Sequence, residues 1–402
     1  MEPLRKLLAP PDIPELQAKG DVEGLLKALK RKKDAKTREA AAKASGEVGN
    51  PRAVMPLVAA LEDPVLGVRV AAAASLGKIR DRQAVEPLLS ALAGGGGLVR
   101  STAAAALGEI GDPRAAGPLI AACQDAEAAV RQCATDALGK IGSAEAVGPL
   151  IAALADGDEL VRRNAVEALG RIRDPRTIQP LAAALKDPGR QVRRSAARVL
   201  GDIGGAEAVV PLVGALTDDG VRVRCAAATA LGKIRDPQAV EPLAAALRDP
   251  DRDVCMSAAE SLAAIGSRRA VDLLIEALQY KELSAPDSVI ESLAQVGGPQ
   301  VVARLIAALQ DEDLGVRGGA ARALGEIGDR EAVRPLIATL EDGTLWVRVA
   351  VLEALGEIGD ARAEEHLARF QDDKDHRVRV AARDALRKLG RTAMAGAATA
   401  RK

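Results

Sequence analysis

The chain has 402 residues, with 56 Lys and Arg balanced by 56 Asp and Glu and only three aromatics, Trp346, Tyr280 and Phe370. The missing basic excess argues against a protein that coats nucleic acid, and so few rings argue against base-stacking platforms and cofactor-stacking pockets. No apolar run approaches the roughly 18 residues of a membrane span, so no membrane partner is expected.

In chain order, residues 1–19 are an N-terminal segment, too short and too charged at its start for the apolar part of a signal peptide. Residues 20–49 read as a degenerate cap repeat. Its basic run, Lys27, Lys30, Arg31, Lys32, Lys33, Lys36 and Arg38, is the solvated face that a solenoid end needs. From 50 to 390 the sequence repeats eleven times with a period of 31 residues. One slot holds Pro56, Pro87, Pro118, Pro149, Pro180, Pro211 and Pro242, then Leu273, Arg304, Pro335 and His366. A Val-Arg pair keeps step with it, from Val68 and Arg69 to Val378 and Arg379. A fixed period of this length means units that bury their apolar faces only against neighbours.

Residues 112–142 show one unit. Asp112 and Pro113 open a helix, the carboxylate capping free N–H groups and Pro losing no bond at the first position. Ala115, Ala116, Leu119, Ile120 and Cys123 then fall at helical spacing. After a short turn Val130 starts a second helix with Ala134, Ala137, Leu138 and Ile141 on one face. Gly142 stands where a left-handed residue would end it. Leu recurs every 31 residues from Leu57 to Leu367 as first-helix core and from Leu76 to Leu386 as second-helix core. The predicted fold is therefore all-α, a solenoid of about twelve helical hairpins forming a curved superhelix. Residues 391–402 lack a core pattern and are expected to be disordered.

Several slots carry further expectations. Pro inside the first helix removes a hydrogen bond and should bend it. Gly77, Gly108, Gly139 and their equivalents sit mid-helix, where Gly costs up to about 1 kcal/mol, so close helix approach is expected there. Asp63, Asp125, Asp156, Asp187 and their equivalents lie six residues before the Arg slot. That pattern reads as an Asp–Arg ladder stitching the turns rather than a phosphate track. The ninth repeat, residues 267–297, lacks the Pro, the Gly and both ladder residues, which are Tyr280 and Pro286. It is the expected hinge. Gly94–Gly97 should make a flexible turn. Cys123, Cys133, Cys225 and Cys255 form no CxxC, so disulfides are not expected and a reducing cytoplasm fits.

Candidate binding residues come from unequal repeats. Positions i, i+4 and i+8 of each second helix form one exposed stripe. It is basic at Arg163, Arg171, Arg194 and Arg198 and acidic later, at Glu260, Glu291, Glu353 and Glu357. A partner with the opposite pattern would be oriented by it. A second patch is apolar: Leu283, Leu314 and Leu345 share a turn slot, and Trp346 follows the last. The slot of Trp346 accepts Gly, Asp and Arg elsewhere, which points to exposure and an anchoring role, against a rival reading in which the ring packs on the neighbouring turn.

These features resemble HEAT repeats, in particular the short 31-residue class of phycobilisome-lyase-like proteins. The resemblance is carried by Asp236-Pro237-Gln238-Ala239-Val240-Glu241-Pro242-Leu243 and by the Val-Arg-x-x-Ala-x-x-x-Leu-Gly-x-Ile motifs. It covers residues 50–390 well and 20–49 weakly. It implies a solenoid whose second helices line the concave face, and scaffold roles for the core, cap and ladder residues. HEAT-like di-iron hydroxylases use His-Glu ligand pairs, whereas His366 and His376 are not followed by Glu. The function expected is a non-catalytic cytoplasmic scaffold or assembly factor that binds another protein along the concave face, with no cofactor and no metal. The alternative is a subunit of a lyase-like protein-modifying enzyme; nucleic-acid binding ranks behind both.

Overall fold

A computed structural model describes residues 11–280 and 284–399. Among these residues every regular element is a helix. The chain divides into two compact units, Met1–Ile203 and Gly204–Lys402. The first holds the short helix Ile13–Ala18, the cap hairpin Val22–Leu29 and Ala35–Val48, and five further hairpins. Their second helices are Leu66–Ile79, Gly97–Ile110, Ala128–Ile141, Glu159–Ile172 and Arg190–Ile203. The second unit holds six hairpins, with second helices Val221–Ile234, Arg252–Ile265, Pro286–Val296, Leu314–Ile327, Leu345–Ile358 and His376–Thr399. In each unit consecutive second helices pack on one another. The periodic leucines are sealed, Leu119, Leu138, Leu150 and Leu169 having no exposed surface.

The local chemistry follows the repeat. Asp112 Oδ1 accepts the Arg114 N–H at 3.0 Å, a cap on the second residue that winds Pro113–Ala115 as a 3-10 turn before the α-helix Ala116–Ala122 begins. Pro118 lies in the first turn of that α-helix, so it interrupts no formed bond; the expected internal bend is instead a change from 3-10 to α winding just before it. Where the slot holds Leu273 or Arg304 the first helix is continuous, Arg268–Ala277 or Gly298–Ala308. Gly142 ends its helix at φ 74°, as the sequence predicts. Arg80, Arg173 and Arg235 hold the same left-handed conformation without the freedom of glycine.

The mid-helix glycines are where second helices touch. A Cβ on Gly139 would lie 2.7 Å from the Cα of Ala168, and one on Gly108 would lie 2.7 Å from the Cα of Ala137. Nothing larger than hydrogen fits, so the propensity cost is offset by close packing.

The ladder forms between repeats rather than within one. Arg131 donates from Nε and Nη2 to both carboxylate oxygens of Asp156, at 2.7 and 2.9 Å, and from Nη1 to the Asp125 carbonyl at 2.9 Å. Each rung thus ties its own turn to the next. Arg100 with Asp125, Arg162 with Asp187, Arg224 with Asp249 and Arg317 with Asp342 repeat this at 2.7–2.8 Å. Arg38 makes the first rung with Asp63 and is buried, which corrects its place in a solvated basic run. These guanidiniums are committed to the fold and offer no phosphate track.

The Gly94–Gly97 stretch makes a two-residue turn: the helix Val85–Gly94 runs into it and Gly97–Ile110 begins at its end. A Cβ on Gly95 would press on the Ala91 carbonyl and on Val99, so close approach explains that glycine, while one on Gly97 would meet only the movable carboxylate of Glu127. One further expectation is corrected. The last helix continues through the supposed tail to Thr399, because residues 391–399 are rich in alanine, the strongest helix former.

The ninth repeat loses two rungs in succession. Cys255 stands where an Arg would meet position 280, and Pro286 stands where one would meet Asp311. Substitute contacts are fewer: Arg248 lies over the Tyr280 ring at 4.1 Å, and Ser284 Oγ donates to the Asp249 carbonyl at 3.0 Å. The second helix is shortened to Pro286–Val296. Such a unit opens locally before its neighbours. Amide exchange should therefore be faster across 284–290 than across 220–230; equal protection would remove the hinge.

Candidate functional site

With the ladder committed to the fold, the charges left for a partner lie on the second-helix face. In the first unit most of them neutralise each other between repeats. Glu109 accepts from Arg80 at 2.6 Å and Lys140 at 2.8 Å. Asp136 accepts from Lys140 and Arg171, both at 2.9 Å. Arg198 holds Glu167 from the preceding repeat and Asp202 at 3.0 Å. Cationic partners hold the carboxyls of Glu109 and Asp136 below their usual range against the opposing effect of burial, which for Asp136 is the largest single influence. Of the four arginines predicted as a basic stripe, Arg171 and Arg198 are thus tied up. Arg163, half-buried, and Arg194, exposed, have no ion pair or side-chain hydrogen bond among the described residues. All four line one groove of about 630 Å³ together with Gln132, Asp136, Asn164, Glu167, Gln191 and Ser195.

In the second unit the acidic stripe is less compensated. Arg322 pairs with Asp287 at 2.9 Å, and Lys388 with Glu357. Glu260, Glu291 and Glu353 are exposed and form no ion pair among the described residues. Burial, reinforced by Glu291, Asp287 and Glu357 and opposed by Arg322, raises the carboxyl of Glu326 above its usual range. Glu326, Glu353 and Glu357 line a groove of about 910 Å³ with Arg322, His376 and Val380.

Trp346 is the second residue of Leu345–Ile358, one turn before Val349 on the same face. Its ring lies across Gly318 of the preceding second helix: a Cβ there would fall 1.7 Å from Trp346 Cζ3. Even so, 43% of the residue stays exposed. The ring therefore packs on the preceding second helix, not on the neighbouring turn, and stays partly open. The missed element is Gly318, whose missing side chain makes the seat. Leu314 is 52% exposed and Leu345 half-buried, while Leu283 lies outside the described residues, so the three-repeat ridge is described at two positions. Leu98 and Leu160 share the Trp346 slot in the first unit and are exposed as well.

The four cysteines are unpaired. Cys123 is core, as its slot predicts, and burial pushes its thiol up to about 11. Among the described residues no three His, Cys, Asp or Glu side chains group as metal ligands, and no helix is long and apolar enough to cross a membrane.

The HEAT-repeat family pattern matches residues 22–96, 97–159, 147–223, 221–285, 284–345 and 316–387. None of the curated proteins matches the chain. Among solved structures, importin beta is similar over 91% of this chain and 62% of its own, at 16% identity and a TM-score of 0.58. An engineered protein is similar over 92% of this chain and 99% of its own, at 24% identity and a TM-score of 0.44. The complex of CpcE and CpcF of phycocyanin lyase from Nostoc is similar over 60% and 93%, at 25% identity and a TM-score of 0.36. Importin beta at that identity speaks for the fold alone, an all-α solenoid, and the other two add nothing to it. With repeat matches running almost without a gap from 22 to 387, and with the hairpins, caps and close second-helix packing in place, the chain belongs to the HEAT-repeat family.

Proposed function

We propose that the protein is a non-catalytic scaffold or assembly factor that docks another protein on its second-helix face. The observation that carries this reading is Trp346, a half-open indole seated on Gly318 in line with uncompensated carboxylates. Folding asks for no large ring at a slot that elsewhere takes Gly, Asp or Arg. Aromatic side chains held rigid and partly open are where binding energy concentrates. The free charges at Arg163, Arg194, Glu260, Glu291 and Glu353 set orientation and association rate more than affinity. Arg171, Arg198 and Glu357, already paired, contribute mainly shape.

The test is Trp346→Ala, measured against the protein captured from the source organism. Affinity should fall by about 30-fold, the equivalent of roughly 2 kcal/mol. Stability should fall by only about 1 kcal/mol, because one face of the ring is packed. Unchanged affinity would overturn the reading. The sole Trp also reports directly: partner binding should blue-shift its emission and shield it from quenchers.

A further inference from the structure

We propose that the first-unit groove between Ala128–Ile141, Glu159–Ile172 and Arg190–Ile203 receives a phosphorylated side chain of a partner protein, clamped between Arg163 and Arg194. This rests on the reading of the second-helix face as a docking surface and names the chemistry it selects.

The groove's charge is the first argument. Four arginines face two carboxylates, leaving two positive charges. The excess is localised, because Asp136 is satisfied by Lys140 and Arg171 and Glu167 by Arg198. Arg163 and Arg194 are what remains. They hold the same slot in consecutive repeats and line the same groove, on adjacent helices about 8–10 Å apart, a separation from which two long side chains can reach one anion. A guanidinium left unpaired beside a satisfied ion-pair network is poised for a fork-like contact with an oxyanion.

Donor chemistry is the second argument. Beside the two guanidiniums the groove offers the Gln191 amide and the Ser195 hydroxyl, neither engaged in a hydrogen bond among the described residues. A phosphomonoester brings about −1.5 to −2 charges and three acceptor oxygens. It matches the two spare charges and the spare donors together. A single carboxylate neutralises one arginine and leaves the other facing solvent.

The limits of the basic spot point to a protein partner rather than nucleic acid. In the two preceding repeats the slot of Arg163 holds Ser101 and Gln132, both uncharged. A nucleic-acid backbone needs a continuing track of cations. The ladder arginines on either side of this groove, which would otherwise supply one, are committed: Arg131 to Asp156 and Arg162 to Asp187.

The experiment uses the full chain and a fluorescein-labelled Gly/Ser peptide with one central phosphoserine, read by fluorescence anisotropy at low salt. The phosphopeptide should bind at least about tenfold tighter than its unphosphorylated form and than the form with Glu in place of phosphoserine. Arg163→Gln and Arg194→Gln should each weaken it about fivefold, and the double variant should reduce it to the unphosphorylated level. Both side chains are unpaired, so thermal melting should not move; Glu145→Gln, on an exposed first-helix turn, is the control. Equal binding of phosphorylated and unphosphorylated peptides overturns the proposal, as does binding indifferent to the double variant. Tighter binding of a short oligothymidylate through the same arginines overturns it in favour of nucleic acid. The peptide carries no partner fold and does not involve Trp346, so failure here leaves the docking reading to be decided by Trp346→Ala.

Discussion

Gly139→Ala should destabilise the protein by about 2 kcal/mol, while Gly148→Ala should leave it unchanged or stabilise it by up to about 1 kcal/mol. The two substitutions add the same methyl group to an α-helix, a second helix at Gly139 and a first helix at Gly148. At Gly148, in the first helix Val147–Ala153, the methyl meets nothing within 4 Å, so only the gain in helix propensity remains. At Gly139 it would sit 2.7 Å from both the Cα and the Cβ of Ala168. Backbone cannot rotate away as a flexible side chain can, so the second helices must separate. The leucine layer beneath, including Leu138 and Leu169, then loses contact. Urea unfolding checks this, and the opposite signs matter more than either magnitude. A loss of stability at both positions would mean that the glycines serve something other than close approach.

The second large effect concerns a ladder rung. Asp156→Ala should cost about 2–3 kcal/mol at neutral pH, below the full penalty for breaking a buried pair because Arg131 keeps some exposure. Arg131 Nη1 would still reach the Asp125 carbonyl, but the rest of its guanidinium would face the hole left by the carboxylate. Asp156 also accepts the Asp158 N–H at 2.8 Å, so the cap of the turn goes with it. The effect carries a pH signature. Arg131, donating to the Asp156 carboxylate, holds its carboxyl below the usual range against the cost of burial. A folded value lower than the unfolded one, near 3.9, gives stability that is complete above that pH and lost as pH falls through the folded value. The difference between wild type and Asp156→Ala should therefore be flat from about pH 5 upward and shrink below about pH 4. A difference that grows on acidification would contradict the rung.

How far the sequence reveals this molecule depends on what the period encodes. Hairpins, leucine layers and the left-handed Gly142 are properties of one repeat in a fixed frame, and they are legible because each local choice agrees with the next. Interactions between repeats are less legible because the partner is a period away. The sequence spacing of six residues between Asp125 and Arg131 describes a main-chain contact within one turn. The ion pair itself runs 25 residues forward, the complement of six within 31. The stripe charges hide a similar rule. Glu109 with Lys140, Glu167 with Arg198 and Glu357 with Lys388 each pair across a full period, because one slot changes sign in consecutive repeats. That sign change is readable, and it separates the occupied Arg198 from the free Arg163 and Arg194. The seat of Trp346 is less legible. It depends on Gly318, which reads as one more member of a variable stripe until the indole is placed over it.

If the second-helix face binds a protein while the ladder, the glycines and the first helices build the support, quantitative capture of partners by three forms of the full chain will separate the two faces. One is wild type. One carries Arg163→Gln, Arg194→Gln, Glu353→Gln and Trp346→Ala. One carries three charge-neutralising changes at exposed first-helix positions, Glu145→Gln, Glu207→Gln and Arg334→Gln. A partner should be retained by wild type and by the first-helix variant and lost by the second-helix variant, with all three still cooperatively folded. Retention of that partner by the second-helix variant, or its loss from the first-helix variant alone, would contradict it.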